Sequence, residues 1–217
     1  MVGKRIFDIL VSFISLVLLS PILIIVAIII KLGSKGPVLY KQLRVGLNGK
    51  PFYIYKFRTM QVNADKKGLL ITGADDPRLT RVGSFLRKIK IDEIPQLFNV
   101  LKGEMSIVGP RPEVLEYVKL YTNEQKRVLT VKPGMTDPAT VYFRNEEKLL
   151  AKANDKESFY INEIIPVKLR LYLQYIDNMS LTYDIKLIFL EFFAIILPEV
   201  VFSRIFINED SEVNKER

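Results

Sequence analysis

The 217-residue chain has no cysteine, no histidine and no tryptophan. Without cysteine there is no disulfide framework, and nothing asks for an oxidising compartment. Without cysteine or histidine there is no ordinary zinc site, no thiolate nucleophile and no Ser-His-Asp triad. Any catalysis must draw on carboxylates, Lys, Arg, Tyr, hydroxyls or a hard oxygen-liganded metal such as Mg²⁺. Internal repeats and low-complexity tracts are also missing. Apolar residues, by contrast, make up 49% of the chain, a high share for a purely soluble protein. Charge is unevenly spread: residues 1–110 carry 17 Lys/Arg against 7 Asp/Glu, and residues 111–217 carry 15 against 17. The net +8 therefore belongs to the N-terminal half and points to anionic partners there. Nucleic acid is the weakest of these, because the charge flanks an apolar segment and no nucleic-acid module is recognisable.

That segment, Ile9 to Ile30, has 22 uncharged residues, enough for a helix to cross a hydrocarbon core of about 30 Å. It is too long for the apolar stretch of a signal peptide, and no A-x-A cleavage pattern follows it. Ser20-Pro21 lies in its middle, where proline removes a backbone donor and favours a bend. Both flanks are basic, with Lys4-Arg5 before and Lys31 and Lys35 after, so positive charge favours neither end outside. Two readings stand: a helix-break-helix that dips into the bilayer and returns, or a kinked transmembrane helix. A second apolar stretch, Ile185 to Phe206, is interrupted by Lys186, Glu191, Pro198, Glu199 and Arg204. It suits short helices on the membrane surface or against the core. The polar tail over 208–217 is expected to fray.

Between these segments, Val38–Val45 and Phe52–Phe57 read as strands joined through Asn48-Gly49, a hairpin signal. A short basic helix is expected over Val82–Lys90 and another from Asp92 to Leu101, stopped by Lys102-Gly103. A longer helix is expected over Val114–Val131. Ile164–Ile176 also has helical spacing, with Leu169, Leu173 and Ile176 on one side.

Residues 87–113 hold the densest set of reactive side chains. Arg87, Lys88 and Lys90 precede the adjacent carboxylates Asp92 and Glu93, and Arg111 sits between Pro110 and Pro112. The cations are expected to keep both carboxylates ionised, and so nucleophilic or metal-binding, and to hold phosphate oxygens. Carboxylates for Mg²⁺ beside cations for phosphates are the components of phosphoryl transfer. The same residues also fit a plainer arrangement, in which Asp92 caps a helix, Glu93 complements its dipole and the basic residues form a solvated or lipid-facing stripe.

The chain resembles the bacterial sugar transferase family, the monotopic polyprenyl-phosphate phosphoglycosyl transferases. Blocks that match in order run from Lys4-Arg5-Ile6-Phe7-Asp8 and Ser20-Pro21 through Gly36-Pro37-Val38-Leu39-Tyr40-Lys41-Gln42 and Tyr55-Lys56-Phe57-Arg58-Thr59-Met60. They continue with Asp76-Pro77-Arg78-Leu79-Thr80, Leu86-Arg87-Lys88 and Asp92-Glu93-Ile94-Pro95-Gln96-Leu97. The last are Asn99-Val100-Leu101-Lys102-Gly103-Glu104-Met105-Ser106 and Val108-Gly109-Pro110-Arg111-Pro112. The resemblance implies transfer of a sugar 1-phosphate from a UDP-sugar to undecaprenyl phosphate at the cytoplasmic face of the bacterial inner membrane. That would be the first membrane step in making a capsule, exopolysaccharide, O-antigen or glycoprotein glycan. It places the family's dyad on Asp92, the nucleophile that would form a phosphosugar-aspartate intermediate, and Glu93, a ligand of Mg²⁺. Arg87, Arg111, Lys56 and Arg58 become phosphate-binding candidates, and Ser20-Pro21 the break in a re-entrant membrane helix.

The chain departs from the family's pattern after Pro133-Gly134-Met135-Thr136, where Asp137-Pro138 replaces a Gly-Trp pair; Arg144-Asn145 survives, and Arg144 is a further ligand-binding candidate. The expected fold is α+β, predominantly helical and monotopic. It has a re-entrant hairpin over 1–35, a cytosolic catalytic domain with membrane-surface helices over 36–207, and a tail over 208–217. By the resemblance it is expected to be the minimal catalytic form, without the extra N-terminal transmembrane domain of larger members. Expected partners are a UDP-sugar, undecaprenyl phosphate and membrane lipids, with a homo-oligomer and downstream glycosyltransferases left open. The competing reading is a non-catalytic lipid-binding or scaffold protein at the membrane surface, using the same basic face.

Overall fold

The structure is a computed structural model and describes residues 2–64, 76–143 and 146–196. Arg144, Pro198, Glu199, Arg204 and the polar tail lie outside the described residues. The fold is mostly helical α+β, with one long apolar N-terminal helix and a small antiparallel hairpin.

Helix α1 spans Val2–Gly33, about 48 Å at 1.5 Å per residue. Among the described residues it is the one helix long and apolar enough to cross a membrane. Where a helix-break-helix was expected, helix runs unbroken through Pro21. Proline cannot donate to the carbonyl four residues back, that of Val17, which would leave it orphaned. The Ser20 hydroxyl donates to that same carbonyl at 2.8 Å, so the lost bond is replaced within one turn.

Both ends of α1 are fastened to the same body. Near its start, the Arg5 guanidinium donates to Val100 O (2.6 Å) and Leu101 O (2.8 Å). Asp8, almost fully buried, accepts from the Ser106 hydroxyl and the Ile107 N–H, both at 3.0 Å. Near its end, the Arg58 guanidinium donates to Ile30 O, Ser34 O, Ser34 Oγ and Lys35 O. One stripe packs inward: Leu16 with Val100, Met105 and Val108, and Val26 and Ile30 with Phe57 and Leu86. The opposite face, including Ile6, Leu10, Phe13, Val17, Ile24 and Ile28, is exposed and apolar. Asp8→Ala would strip two buried donors of their acceptor. Each orphan costs about 1–3 kcal/mol, so the expected loss is about 3 kcal/mol, read as a fall in thermal midpoint in detergent, with Asp8→Asn costing less.

Strands β1 (Leu39–Val45) and β2 (Pro51–Phe57) pair antiparallel. Asn48 and Gly49 take φ of 55° and 75° in the loop between them, the left-handed conformation that makes Asn-Gly a turn signal. Helix α2 (Arg81–Lys88) starts at Thr80, whose hydroxyl accepts from Gly83 N at 2.9 Å. A 3₁₀ segment over Ile91–Gln96 leads into α3 (Leu97–Lys102), which ends at Gly103 with φ 85°. Strand β3 (Ser106–Val108) pairs in parallel with β4 (Gly134–Thr136). Their backbones approach so closely that a Cβ on Gly134 would meet Gly109 N at 2.1 Å, which fixes glycine at this crossing.

The long helix expected over Val114–Val131 is instead α4 (Leu115–Val118) and a 3₁₀ turn over Gln125–Thr130. The break is a reciprocal cap: Gln125 N donates to Thr122 Oγ1 while Thr122 N donates to Gln125 Oε1, a T-x-x-Q capping box that starts a new element. Helices α5 (Pro138–Tyr142), α6 (Glu146–Lys152) and α7 (Lys156–Phe159) follow. A π-turn over Tyr160–Ile164 enters α8 (Ile165–Asp177). Leu169 is buried in α8, with Leu173 and Ile176 packed on the same core as expected. Helix α9 (Leu181–Ile196) buries Asp184 and Leu187 and exposes Leu181, Ile185, Phe189, Phe192 and Phe193. Asp184, with no solvent exposure, accepts from Lys4 Nζ (2.5 Å) and the Tyr175 hydroxyl (2.6 Å), clasping the start of α1 to α8 and α9.

Candidate active site

The Asp92-Glu93 pair lies in the 3₁₀ segment, which begins at Ile91 with Lys90 at the cap position. Asp92 is therefore not a helix cap, and α3 has Gln96 at its own cap position. Lys90 takes φ 62°, a left-handed conformation unusual for a side-chain-bearing residue; it turns the chain from α2 into the segment that carries the dyad. Strand β2 packs against this segment. Alternation along β2 puts Lys56 on the same face as Ile54 and Phe52, turned toward the dyad.

Lys56 Nζ lies 2.9 Å from Glu93 Oε1, and Arg111 pairs with the same oxygen. Glu93 Oε2 meets no protein donor among the described residues. Burial pushes the Glu93 carboxyl up, but Arg111 and Lys56 outweigh it and hold the group well below the usual carboxylate range. Asp92 behaves differently. It is 6% exposed, and burial followed by the Glu93 charge raises it to about 6, against the pull of Lys56, Arg87 and Lys90. The cations thus hold the Glu93 carboxyl low, whereas desolvation of Asp92 exceeds the attraction it receives, so its carboxyl is raised yet still mostly ionised at pH 7. At pH 7 about nine in ten Asp92 side chains are still ionised, and their raised basicity favours nucleophilic attack.

These values give a direct check. In metal-free protein, the Asp92 carboxyl carbon is expected to titrate with a midpoint of about 6 by NMR. Glu93→Gln removes a like charge and moves that midpoint down; Lys56→Met removes a cation and moves it up. Shifts of the opposite signs contradict the electrostatic assignment.

Arg111 is positioned by the residues after it. Glu113 accepts from Arg44 Nη1 (2.8 Å), the Tyr160 hydroxyl (2.6 Å) and its neighbour Val114 N, while Val45 N donates to Glu113 O at 2.9 Å. The hairpin and α7–α8 region thus grip the Pro-Arg-Pro turn from both sides. Sequence reasoning missed Arg44 and Glu113, since nothing local marks a pair 69 residues apart. It also took Glu191 as a mere interruption of an apolar run. In the structure burial raises the Glu191 carboxyl, against the pull of Thr136 at the end of β4 and of Lys90 and Arg111.

The predicted residues divide clearly. Asp92, Glu93, Lys56 and Arg111 come together, and Arg87, in the last turn of α2, acts on Asp92 through its charge. Arg58 does not join them: it is 6% exposed and its donors are taken by carbonyls and the Ser34 hydroxyl at the end of α1. Its role is to close that helix rather than to clamp phosphate. Ser20-Pro21 lies on α1, and Arg144 is outside the described residues. Among the described residues no group of three or more acidic side chains is placed to hold a metal ion.

Buried carboxylates of unequal basicity, framed by Lys and Arg, suit the handling of phosphoanions. Comparison with known proteins agrees. The bacterial sugar transferase family matches over residues 1–198, and the chain belongs to that family. The uncharacterized sugar transferase EpsL of Bacillus subtilis (strain 168) is 40% identical over 199 residues, covering 92% of this chain and 90% of that protein. The exopolysaccharide production protein PSS of Rhizobium leguminosarum bv. phaseoli is 39% identical over 198 residues, covering 87% and 92%. The UDP-glucose:undecaprenyl-phosphate glucose-1-phosphate transferase of Klebsiella pneumoniae is 40% identical over 202 residues. That match takes in 89% of this chain but 40% of the relative.

Proposed function

We propose that the protein transfers a sugar 1-phosphate from a UDP-sugar to undecaprenyl phosphate by double displacement, with Asp92 as nucleophile. The observation that carries this reading is a buried Asp92 of raised basicity beside a Glu93 held ionised by Lys56 and Arg111. An Asp92 oxygen attacks the sugar-proximal phosphorus and forms a P–O bond. The bond from that phosphorus to the bridging oxygen breaks, and UMP leaves with the oxygen. An oxygen of the lipid phosphate then attacks the same phosphorus and Asp92 departs as carboxylate, giving the lipid diphosphate sugar. Arg111, Arg87 and Lys56 provide positive charge for the phosphate oxygens.

Mg²⁺ fits this donor set. It takes one or two carboxylates and completes its shell with substrate phosphates and water, and Glu93 Oε2 has no donor among the described residues. Glu93 would hold the ion, which supplies charge neutralisation for the diphosphate and its leaving group.

The lipid acceptor keeps its phosphate at the headgroup layer, so the site must stand at a membrane boundary. The exposed apolar faces of α1 and α9 support this, as does the fastening of both ends of α1 to one body. A helix crossing the bilayer would carry its two ends to opposite sides, whereas α1 held at both ends suits entry from one leaflet, here the cytoplasmic one. The test is UMP release from a panel of UDP-sugars in nanodiscs containing undecaprenyl phosphate. Release from at least one donor, dependent on divalent cation, is expected; binding of lipid without release from any donor would support the scaffold reading instead.

A further inference from the structure

Two cations converge at the end of α3 on a place that glycine leaves empty. Gly103 stops that helix with φ 85°. A Cβ on Gly103 would lie 3.4 Å from Arg5 Nη2 and 3.5 Å from Lys132 Nζ, so the two charged nitrogens are within about 7 Å of each other. Arg5 reaches this notch from the first turns of α1 and is held there by Val100 O and Leu101 O. Lys132 comes from the loop before β4, is half-buried, and makes no hydrogen bond or ion pair among the described residues.

The acids nearby are committed elsewhere. Asp8, which acts on Lys132 by its charge, is almost fully buried and accepts from Ser106 and Ile107. Glu104, directly after Gly103, accepts from Asn99 Nδ2 at 2.7 Å. Lys102, directly before it, donates to the Tyr55 hydroxyl at 2.7 Å. Burial and then Arg5 lower the Lys132 ammonium, with Asp8 opposing them. Two like charges this close repel unless an anion joins them. On the outward face of the same turns of α1, Val2, Ile6, Ile9 and Leu10 are exposed and apolar. The notch thus stands where apolar surface meets charge, the level of lipid phosphates in a bilayer.

We propose that Arg5 and Lys132 form a site for the phosphate of an anionic phospholipid headgroup, seated over Gly103 beside the first turns of α1. Guanidinium and ammonium both donate to phosphate oxygens, and the phosphate joins the two charges. The inference rests on placing α1 at a membrane boundary. It uses none of the residues assigned to the transfer reaction.

The full chain in detergent is offered equal amounts of phosphatidylglycerol and phosphatidylcholine, and retained lipid is read by native mass spectrometry. The wild-type protein is expected to keep one phosphatidylglycerol in preference to phosphatidylcholine. Lys132→Gln should weaken that preference about fivefold, the effect of one cation near a headgroup, and Lys132→Arg should restore it. Lys50→Gln, which removes an exposed cation directly before β2 with the same change in net charge, should leave it intact. Lys132→Gln should keep the wild-type thermal midpoint in lipid-free detergent, since Lys132 has no bond to lose. A wild-type protein that retains both lipids equally, or a preference that survives Lys132→Gln or falls as far in Lys50→Gln, would overturn the proposal. Displacement of the lipid by an equal concentration of inorganic phosphate would overturn it too, leaving a site for free phosphate. A chain that stays dissolved without detergent and retains neither lipid would instead remove the membrane placement itself.

Discussion

Asp92→Asn is expected to abolish UMP release, by about 10⁴-fold or more, while leaving the protein folded. An amide oxygen is a poor nucleophile and cannot form the phosphosugar ester. The same substitution has an expected effect of opposite sign on stability. Because the Asp92 pKa rises from 3.8 unfolded to about 6 folded, the folded state binds its proton more tightly. Stability contributed by this group is therefore present below pH 4, is lost as pH rises to 6, and stays lost above it. Asp92→Asn should accordingly stabilise metal-free protein at pH 7 to 8, by about 3 kcal/mol, and by much less at pH 4. A variant inactive because it is misfolded would not become more stable. The Asp92 carboxylate is thus held ionised at a cost to the fold.

Arg111→Met carries the second-largest expected effect, a fall of about 10³-fold in kcat/KM for the donor. It removes a proposed phosphate donor and one of the two cations in ion pairs with Glu93, leaving Lys56 in that pairing. Breaking a buried pair by removing one partner typically costs about 3–5 kcal/mol, because the remaining charge is uncompensated. Arg111→Lys should recover part of this loss but not all, since an ammonium cannot reproduce the planar fork. Arg58→Met is the control. It should lower the thermal midpoint by freeing the end of α1, while the KM for donor stays near wild type. An effect on KM as large as that of Arg111→Met would return Arg58 to the phosphate site.

Some of this was readable from residues alone. Asn48-Gly49 set the hairpin, and Lys102-Gly103 stopped α3 where a left-handed residue was needed. Asp92, Glu93 and Arg111 stood out because acidic neighbours in a basic stretch are unusual, and Lys56 followed from the resemblance. Other features depended on contacts remote in sequence. β3 and β4 have three residues each and are 25 residues apart, too short for alternation to register. The split of Val114–Val131 was legible in the Thr122-x-x-Gln125 capping box but was hidden by the apolar residues around it. The opposite shifts of Asp92 and Glu93 could not be read, since they turn on which carboxyl receives both cations. Arg58 misled because a cation beside strand residues looks the same whether it meets phosphate or the carbonyls of a helix end. The continuity of α1 through Pro21 rests on one hydroxyl, that of Ser20, filling the place of one missing N–H.

Intact-mass spectrometry of protein incubated with a competent UDP-sugar and Mg²⁺, without lipid acceptor, addresses the nucleophile most directly. A mass increase equal to one sugar phosphate, located at Asp92, absent from Asp92→Asn and discharged on adding undecaprenyl phosphate, is the predicted result. Turnover to lipid product by protein that never carries such an increase, under rapid quench, would contradict it.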